Sequence, residues 1–220
     1  MKTVGMITIG QSPRDDIVPE MEKLLGPGVR VREAGALDGL ARAEVAALAP
    51  RGGEDALTTR LRDGGDVVVA KRAILDRIQG CLDALEREVD ASVVLCTGVF
   101  PRFRTARPLL EPDRALAGAV QAAFDGGHLG VLVPIPEQRE GAARRWSPLA
   151  ERVTVAVASP YRGHGELVAA AEELRRAAAG LVVMSCMGYT PAMKAVVRDV
   201  AGAPALLPAS VVARLLAELL

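Results

Sequence analysis

Two cysteines carry the strongest chemical signal in this 220-residue chain. Cys96 closes the apolar run Val93-Val94-Leu95, and Cys186 follows Val182-Val183-Met184-Ser185. Each leads at once into a glycine-containing turn, Thr97-Gly98 in one case and Met187-Gly188 in the other. A thiolate held at such a place is a base able to take a proton from carbon, and a thiol is the matching acid. The two lie nearly half a chain apart. Two duplicated units facing each other would therefore set one sulfur on each side of a bound substrate. A buried cysteine can also serve as a small apolar filler at a strand end, but the matched contexts favour chemistry for the pair. The third cysteine, Cys81, falls on a helix in Gly80-Cys81-Leu82 and reads as an inert thiol.

Thiol chemistry makes further demands on the chain. A resting thiolate needs a nearby cation or a helix N-terminus. The Thr190-Pro191 helix start follows Cys186, and Arg102, Arg104 and Arg107 follow Cys96. Those arginines either steady a thiolate and grip a carboxylate, or form a solvated basic loop. A carbanion beside a carbonyl needs hydrogen-bond donors, for which the backbone amides of Thr97, Gly98, Gly188 and Tyr189 are candidates. Gln11, Ser12 and Arg14 follow the first strand and join the candidate substrate contacts. Ser12 also reads as a helix cap, and Arg14 either reaches into the cleft or lies on a helix surface. Tyr189 either lines the pocket or packs. His164 is expected in a loop before a helix, with His128 and Trp146 as packing residues.

The elements that must position these residues alternate strand and helix. Residues 3–9 read as a buried strand, with Ser12 capping a helix whose first position is Pro13 and which stops at Gly26-Pro27. A strand at 29–33 and a short helix at 41–48 follow, then a hairpin from 56–61 and 66–70. On the helix expected at 72–89, Ile74, Ile78, Leu82 and Leu85 fall on one face. Strand 91–95 ends at Cys96. The second half repeats the pattern, with strands at 128–133, 153–158 and 181–185 and an apolar segment at 204–207. Its helices are expected at 115–124, 137–149, 166–179, 192–200 and 209–220. This is the grammar of an α/β protein with parallel sheets. It divides into an N-terminal unit, 1–108, and a C-terminal unit, 112–208. Pro108 and Pro112 bracket a linker, and helix 209–220 packs back on the first unit.

Composition narrows the function. Lys+Arg and Asp+Glu balance at 27 each, so nothing draws the chain generally to nucleic acid or anionic lipid. Only 3% of the residues are aromatic, which leaves few platforms for stacking bases. Three thinly spread cysteines and two histidines make neither a disulfide framework nor a zinc site. No apolar run approaches a membrane span, and residues 1–16 do not form a signal peptide. Phosphate-binding signatures are missing, because the Gly163-His164-Gly165 stretch has Val168 where a third glycine would stand. A cytoplasmic protein acting on a small molecule, without metal or cofactor, is the expectation.

The strand–Cys–x–Gly arrangement in both halves resembles the cofactor-independent aspartate/glutamate/hydantoin racemase superfamily. More closely, TIGQSPR, DGGHLGVLVP, MSCMGY and the terminal RLLAELL resemble the AroM family within it, nearly from end to end. The resemblance implies two pseudo-symmetric, flavodoxin-like parallel-sheet units with an active site in the cleft between them. It also implies a racemase or epimerase-type isomerase in which Cys96 and Cys186 exchange protons with opposite faces of a carbon. That carbon stands next to a carboxylate or carbonyl in an amino-acid-like substrate. Related folds often form homodimers. The chain departs from the racemase pattern after both cysteines, with Thr97-Gly98 and Met187-Gly188. Two alternatives therefore stand: a single-thiol decarboxylase or cis–trans isomerase, and a non-enzymatic small-molecule binding protein on the same scaffold.

Overall fold

A computed structural model describes all 220 residues. The chain forms two compact units, Met1–Pro112 with Val212–Leu220, and Asp113–Val211. In the first, strands β1 (Lys2–Thr8) and β2 (Val29–Gly35) are separated by helix α1 (Val18–Leu25). Helix α2 (Arg42–Ala47) and the antiparallel hairpin β3 (Ala56–Arg60) and β4 (Asp66–Ala70) follow. Helix α3 (Lys71–Leu85) and strands β5 (Ala91–Val94) and β6 (Leu109–Leu110) complete the unit. The second unit runs α4 (Pro112–Ala123), β7 (His128–Val133), α5 (Arg139–Trp146), β8 (Arg152–Val157), α6 (His164–Arg176), β9 (Leu181–Met184), α7 (Pro191–Ala201) and β10 (Ala205–Leu206). Helix α8 (Pro208–Leu219) closes the chain.

Both units hold a four-stranded, all-parallel sheet of the same topology. The orders are β2-β1-β5-β6 and β8-β7-β9-β10. All four residues of β5 and of β9 are buried, as strands covered on both faces must be. In the second unit the pleat sorts them cleanly. Leu132, Val182 and Met184 enter a cluster with Leu167, Ala171 and Leu174 of α6. Val131, Leu181 and Val183 enter another, with Leu116 and Val120 of α4 and Trp146 of α5. In the first unit the stripe Ile74, Ile78, Leu82 and Leu85 of α3 is buried against Ile7 and Val94. Equivalent backbone bonds occur within each unit: Ala36 N–H donates to Thr8 O at 2.9 Å in the first, and Ala158 N–H to Val133 O at 3.0 Å in the second.

Several local expectations are corrected. Ser12 caps no helix: its amide and hydroxyl both donate to Asp38, at 2.9 and 2.6 Å. A partner 26 residues away thus outcompetes the local cap, and α1 begins at Val18, with Pro19 in its first turn. The stretch 108–112 is not a linker, because Leu109 and Leu110 pair with Ser92 and Val93 and extend the first sheet. His164 is the first residue of α6 rather than part of the preceding loop. Thr190, by contrast, does cap α7, accepting the Met193 amide at 3.2 Å.

Candidate functional site

In an open parallel sheet, a ligand crevice forms where the strand order reverses, beyond the carboxyl ends of the strands. Within the first sheet that point lies between β1 and β5, and within the second between β7 and β9. Ile7 of β1 stands opposite Val94 of β5, and Leu132 of β7 opposite Met184 of β9. Two residues beyond Val94 is Cys96, and two beyond Met184 is Cys186. Their backbones are held alike. Leu95 N–H donates to Ile7 O at 2.7 Å and Ser185 N–H to Leu132 O at 2.7 Å. Cys96 N–H then closes a tight turn on Val94 O at 2.7 Å, as Cys186 N–H does on Met184 O at 2.9 Å. Each cysteine is 8% exposed, and neither is in a disulfide. The thiols thus occupy equivalent positions in two repeats of one design.

The glycine two residues after each cysteine is also equivalent. Gly98 N–H donates to Cys96 Sγ at 3.3 Å, a contact that favours negative charge on sulfur. A Cβ at Gly98 would lie 3.2 Å from Cδ2 of Leu57 on β3. A Cβ at Gly188 would lie 2.6 Å from the Tyr161 hydroxyl and 3.0 Å from Cγ of Pro160. A side chain at Gly188 would have to displace the Tyr161 ring. Around Cys96 the cluster is apolar, with Ile9, Leu57 and Phe103 buried in it.

The segment after β1 is built around three acidic residues, Asp38, Asp16 and Glu33. Asp38 accepts the Ser12 and Gly35 amides and the Ser12 hydroxyl, and Arg62 Nη2 approaches it at 3.4 Å. Gln11 accepts the Arg62 amide at 3.0 Å and donates to Leu37 O at 3.4 Å. Gln11, with Arg42, Arg62 and Asp63, rims a pocket floored by Leu40, Val45 and Leu61. Arg14 turns inward: it is 3% exposed, and its guanidinium donates to both Asp16 oxygens and to Thr8 Oγ1 at 2.8–2.9 Å. Burial pushes the Asp16 carboxyl up, but the hydrogen bonds and charge of Arg14 outweigh it and leave the group below its ordinary range. Burial raises Glu33, only partly offset by the Arg14 amide it accepts.

Tyr189 is buried, and its hydroxyl donates to Ala158 O at 2.6 Å. Burial first, then the proximity of Cys186 and Tyr161, holds its ionisation well above the ordinary phenol range, so it stays protonated. Arg102, Arg104 and Arg107 are exposed. Sequence reasoning missed Tyr161, although it follows β8 at the carboxyl end of the sheet, the criterion that singled out the other turns. Leu57, Asp38 and Arg62 carry no comparable local signal. No group of His, Cys, Asp or Glu side chains is arranged to hold a metal ion, and no helix is long and apolar enough to cross a membrane.

Twin parallel-sheet units of one strand order, each with a thiol past its third strand, place the protein in the two-unit α/β class of which racemases are members. The allantoin racemase from Pseudomonas fluorescens has this fold, with a TM-score of 0.64 and 14% identity over 98% of this chain and 89% of that one. Glutamate racemase from Francisella tularensis, solved with D-glutamate, gives 0.63 and 15% over 99% and 80%. An unliganded arylmalonate decarboxylase gives 0.62 and 14% over 99% and 92%. No functionally curated protein matches the sequence. The AroM protein family matches across residues 4–220, and the chain belongs to that family.

Proposed function

We propose that this protein is a cofactor-independent isomerase, a racemase or epimerase acting at a carbon next to a carboxylate or carbonyl, with Cys96 and Cys186 as its acid and base. The observation that carries the proposal is their equivalence: both thiols follow the third strand of a repeated sheet and share the same hydrogen-bonded turn. The similarity of the fold to those of allantoin and glutamate racemases supports the reading. In the reaction, one thiolate takes the proton from Cα. The C–H electron pair moves into the neighbouring carbonyl as an enolate, which backbone N–H donors such as those of Thr97 and Gly188 stabilise. The other thiol then gives its proton to the opposite face. The carbon is inverted, the first sulfur is left protonated and the second is left as thiolate. Candidate substrates are small amino acids, hydantoins and hydroxy acids. Thr97 would contribute its amide, while Gln11 and Ser12 would orient the substrate through the loop they share with Asp38.

The test is incubation of those candidates in D2O. The proposal expects deuterium at Cα with loss of optical purity, and loss of turnover in both Cys96→Ser and Cys186→Ser. Full activity in either variant overturns it. One observation favours a second reading: the two turns carry unlike neighbours, the purely apolar Leu57 and Phe100 side chains at Gly98 and the phenol hydroxyl of Tyr161 at Gly188. Unlike environments suit a decarboxylase, in which carbon dioxide leaves and a single thiol protonates the carbanion. Such an enzyme would release carbon dioxide and lose activity in only one of the two variants.

A further inference from the structure

The unlike neighbours have a common origin in the fold. Leu57 belongs to the segment that follows β2, and Tyr161 to the segment that follows β8, and these strands hold the same place in their sheets. Each reaches the glycine two residues past the cysteine of its own unit. The hairpin bearing Leu57 is itself fastened to the neighbouring strand end, because Gln11 N–H donates to Arg60 O at 3.2 Å. It also presses on Gly10, where a Cβ would lie 2.3 Å from that same carbonyl. On the other side, Tyr161 sits close enough to Tyr189 to disfavour its ionisation, as Cys186 does. Tyr189 N–H in turn donates to Cys186 O at 3.4 Å.

We infer that Leu57 and Tyr161 are paired positioning residues, each pinning the Cys-x-Gly turn of its own unit so that the thiol keeps its place and its backbone donors. Leu57 does so by packing on Gly98, whose amide serves the Cys96 sulfur. Tyr161 does so by lying over Gly188, where even a Cβ would meet its hydroxyl at 2.6 Å. Neither needs to touch a substrate. The importance of the pinned thiols rests on the proposed acid–base roles, but the pinning itself is measurable without turnover.

The experiment is amide hydrogen exchange followed by NMR on the whole chain, with Gly98 and Tyr189 amides as reporters. Leu57→Ala is expected to speed exchange at Gly98 about tenfold, roughly one net hydrogen bond, and to leave Tyr189 at its wild-type rate. Tyr161→Ala should do the reverse. Leu57→Met and Tyr161→Phe, which keep most of the packing, should restore protection. Wild-type protection of Gly98 in Leu57→Ala, or of Tyr189 in Tyr161→Ala, overturns the inference. Equal acceleration of both amides in either variant also overturns it, because that marks general loosening. If Leu57→Ala does not fold, Leu57→Val carries the same test: acceleration confined to Gly98 supports the inference, and none contradicts it. Intact pinning together with inactive substrates would count against the proposed reaction alone.

Discussion

Replacing Gly10 with alanine tests whether the hairpin is truly seated on the strand end beside Cys96. The new Cβ would fall 2.3 Å from Arg60 O and 2.4 Å from Thr59 Oγ1. Carbonyl oxygens belong to the backbone and cannot swing aside, so β3 has to lift. Overpacking of this kind costs about 1–3 kcal/mol. Lifting β3 also strains the Gln11 N–H bond to Arg60 O and the Arg62 N–H bond to Gln11 Oε1, each worth about 0.5–1.5 kcal/mol. Against this, alanine restricts the unfolded chain and returns about 0.4–1 kcal/mol. The net expectation is a loss of about 2–3 kcal/mol. With a denaturant slope of about 2–3 kcal/mol per molar, the urea midpoint should fall by about 1 M. The assay is urea unfolding by far-UV circular dichroism, with Gly28→Ala as the control, since nothing lies within 4 Å of a Cβ there. A Gly10→Ala midpoint equal to that of the control would refute the seating of the hairpin.

Further substitutions probe the supports around the site. Gly118 lies inside α4 with open space at its Cβ position, so Gly118→Ala should raise stability by about 0.5–1 kcal/mol, read as a higher urea midpoint. Asp16→Asn removes the anionic partner of the buried Arg14 and should cost about 2–4 kcal/mol in the same assay, since unpairing a buried charge is expensive. The Asp16 carboxyl ionises below its ordinary value of 3.8 in the fold. Its contribution is therefore present above that pH and is lost as pH falls through the depressed value. Asp16→Asn should show a flatter loss of stability in acid. Glu33 has the opposite sign: its folded value is raised above 4.5, so its ionisation destabilises the fold as pH rises from 4.5 through the raised value. Glu33→Gln should flatten that limb and match or exceed the wild type at neutral pH; a loss there of more than about 1 kcal/mol would contradict the burial argument.

Much of this arrangement was legible before any fold was known. Apolar runs of Val, Leu and Met ending in Cys-x-Gly mark strand ends in a parallel sheet, and the stripe from Ile74 to Leu85 marks a packed helix face. Those signals are local, and local periodicity is what a sequence displays. What stayed hidden was set by distant partners. Ser12 looks like a helix cap until Asp38 binds it from the other end of β2. Arg14 reads equally as a cleft residue or a helix-surface one, and its burial against Asp16 and Thr8 shows only once the chain is folded. Two residues, Leu109 and Leu110, are too few to show an alternating pattern, so a strand read as a linker. The equivalence of Leu57 and Tyr161 depends on strand order, which no stretch of sequence states.

In the proposed reaction two equivalent thiols act together on one carbon. Its most direct test follows deuterium incorporation at Cα by proton NMR, using a panel of amino acids, hydantoins and hydroxy acids with wild type, Cys96→Ser and Cys186→Ser. At least one substrate should exchange and lose optical purity with wild type, and neither single variant should racemise it. A variant with one cysteine removed that still racemises at the wild-type rate would contradict the proposed reaction.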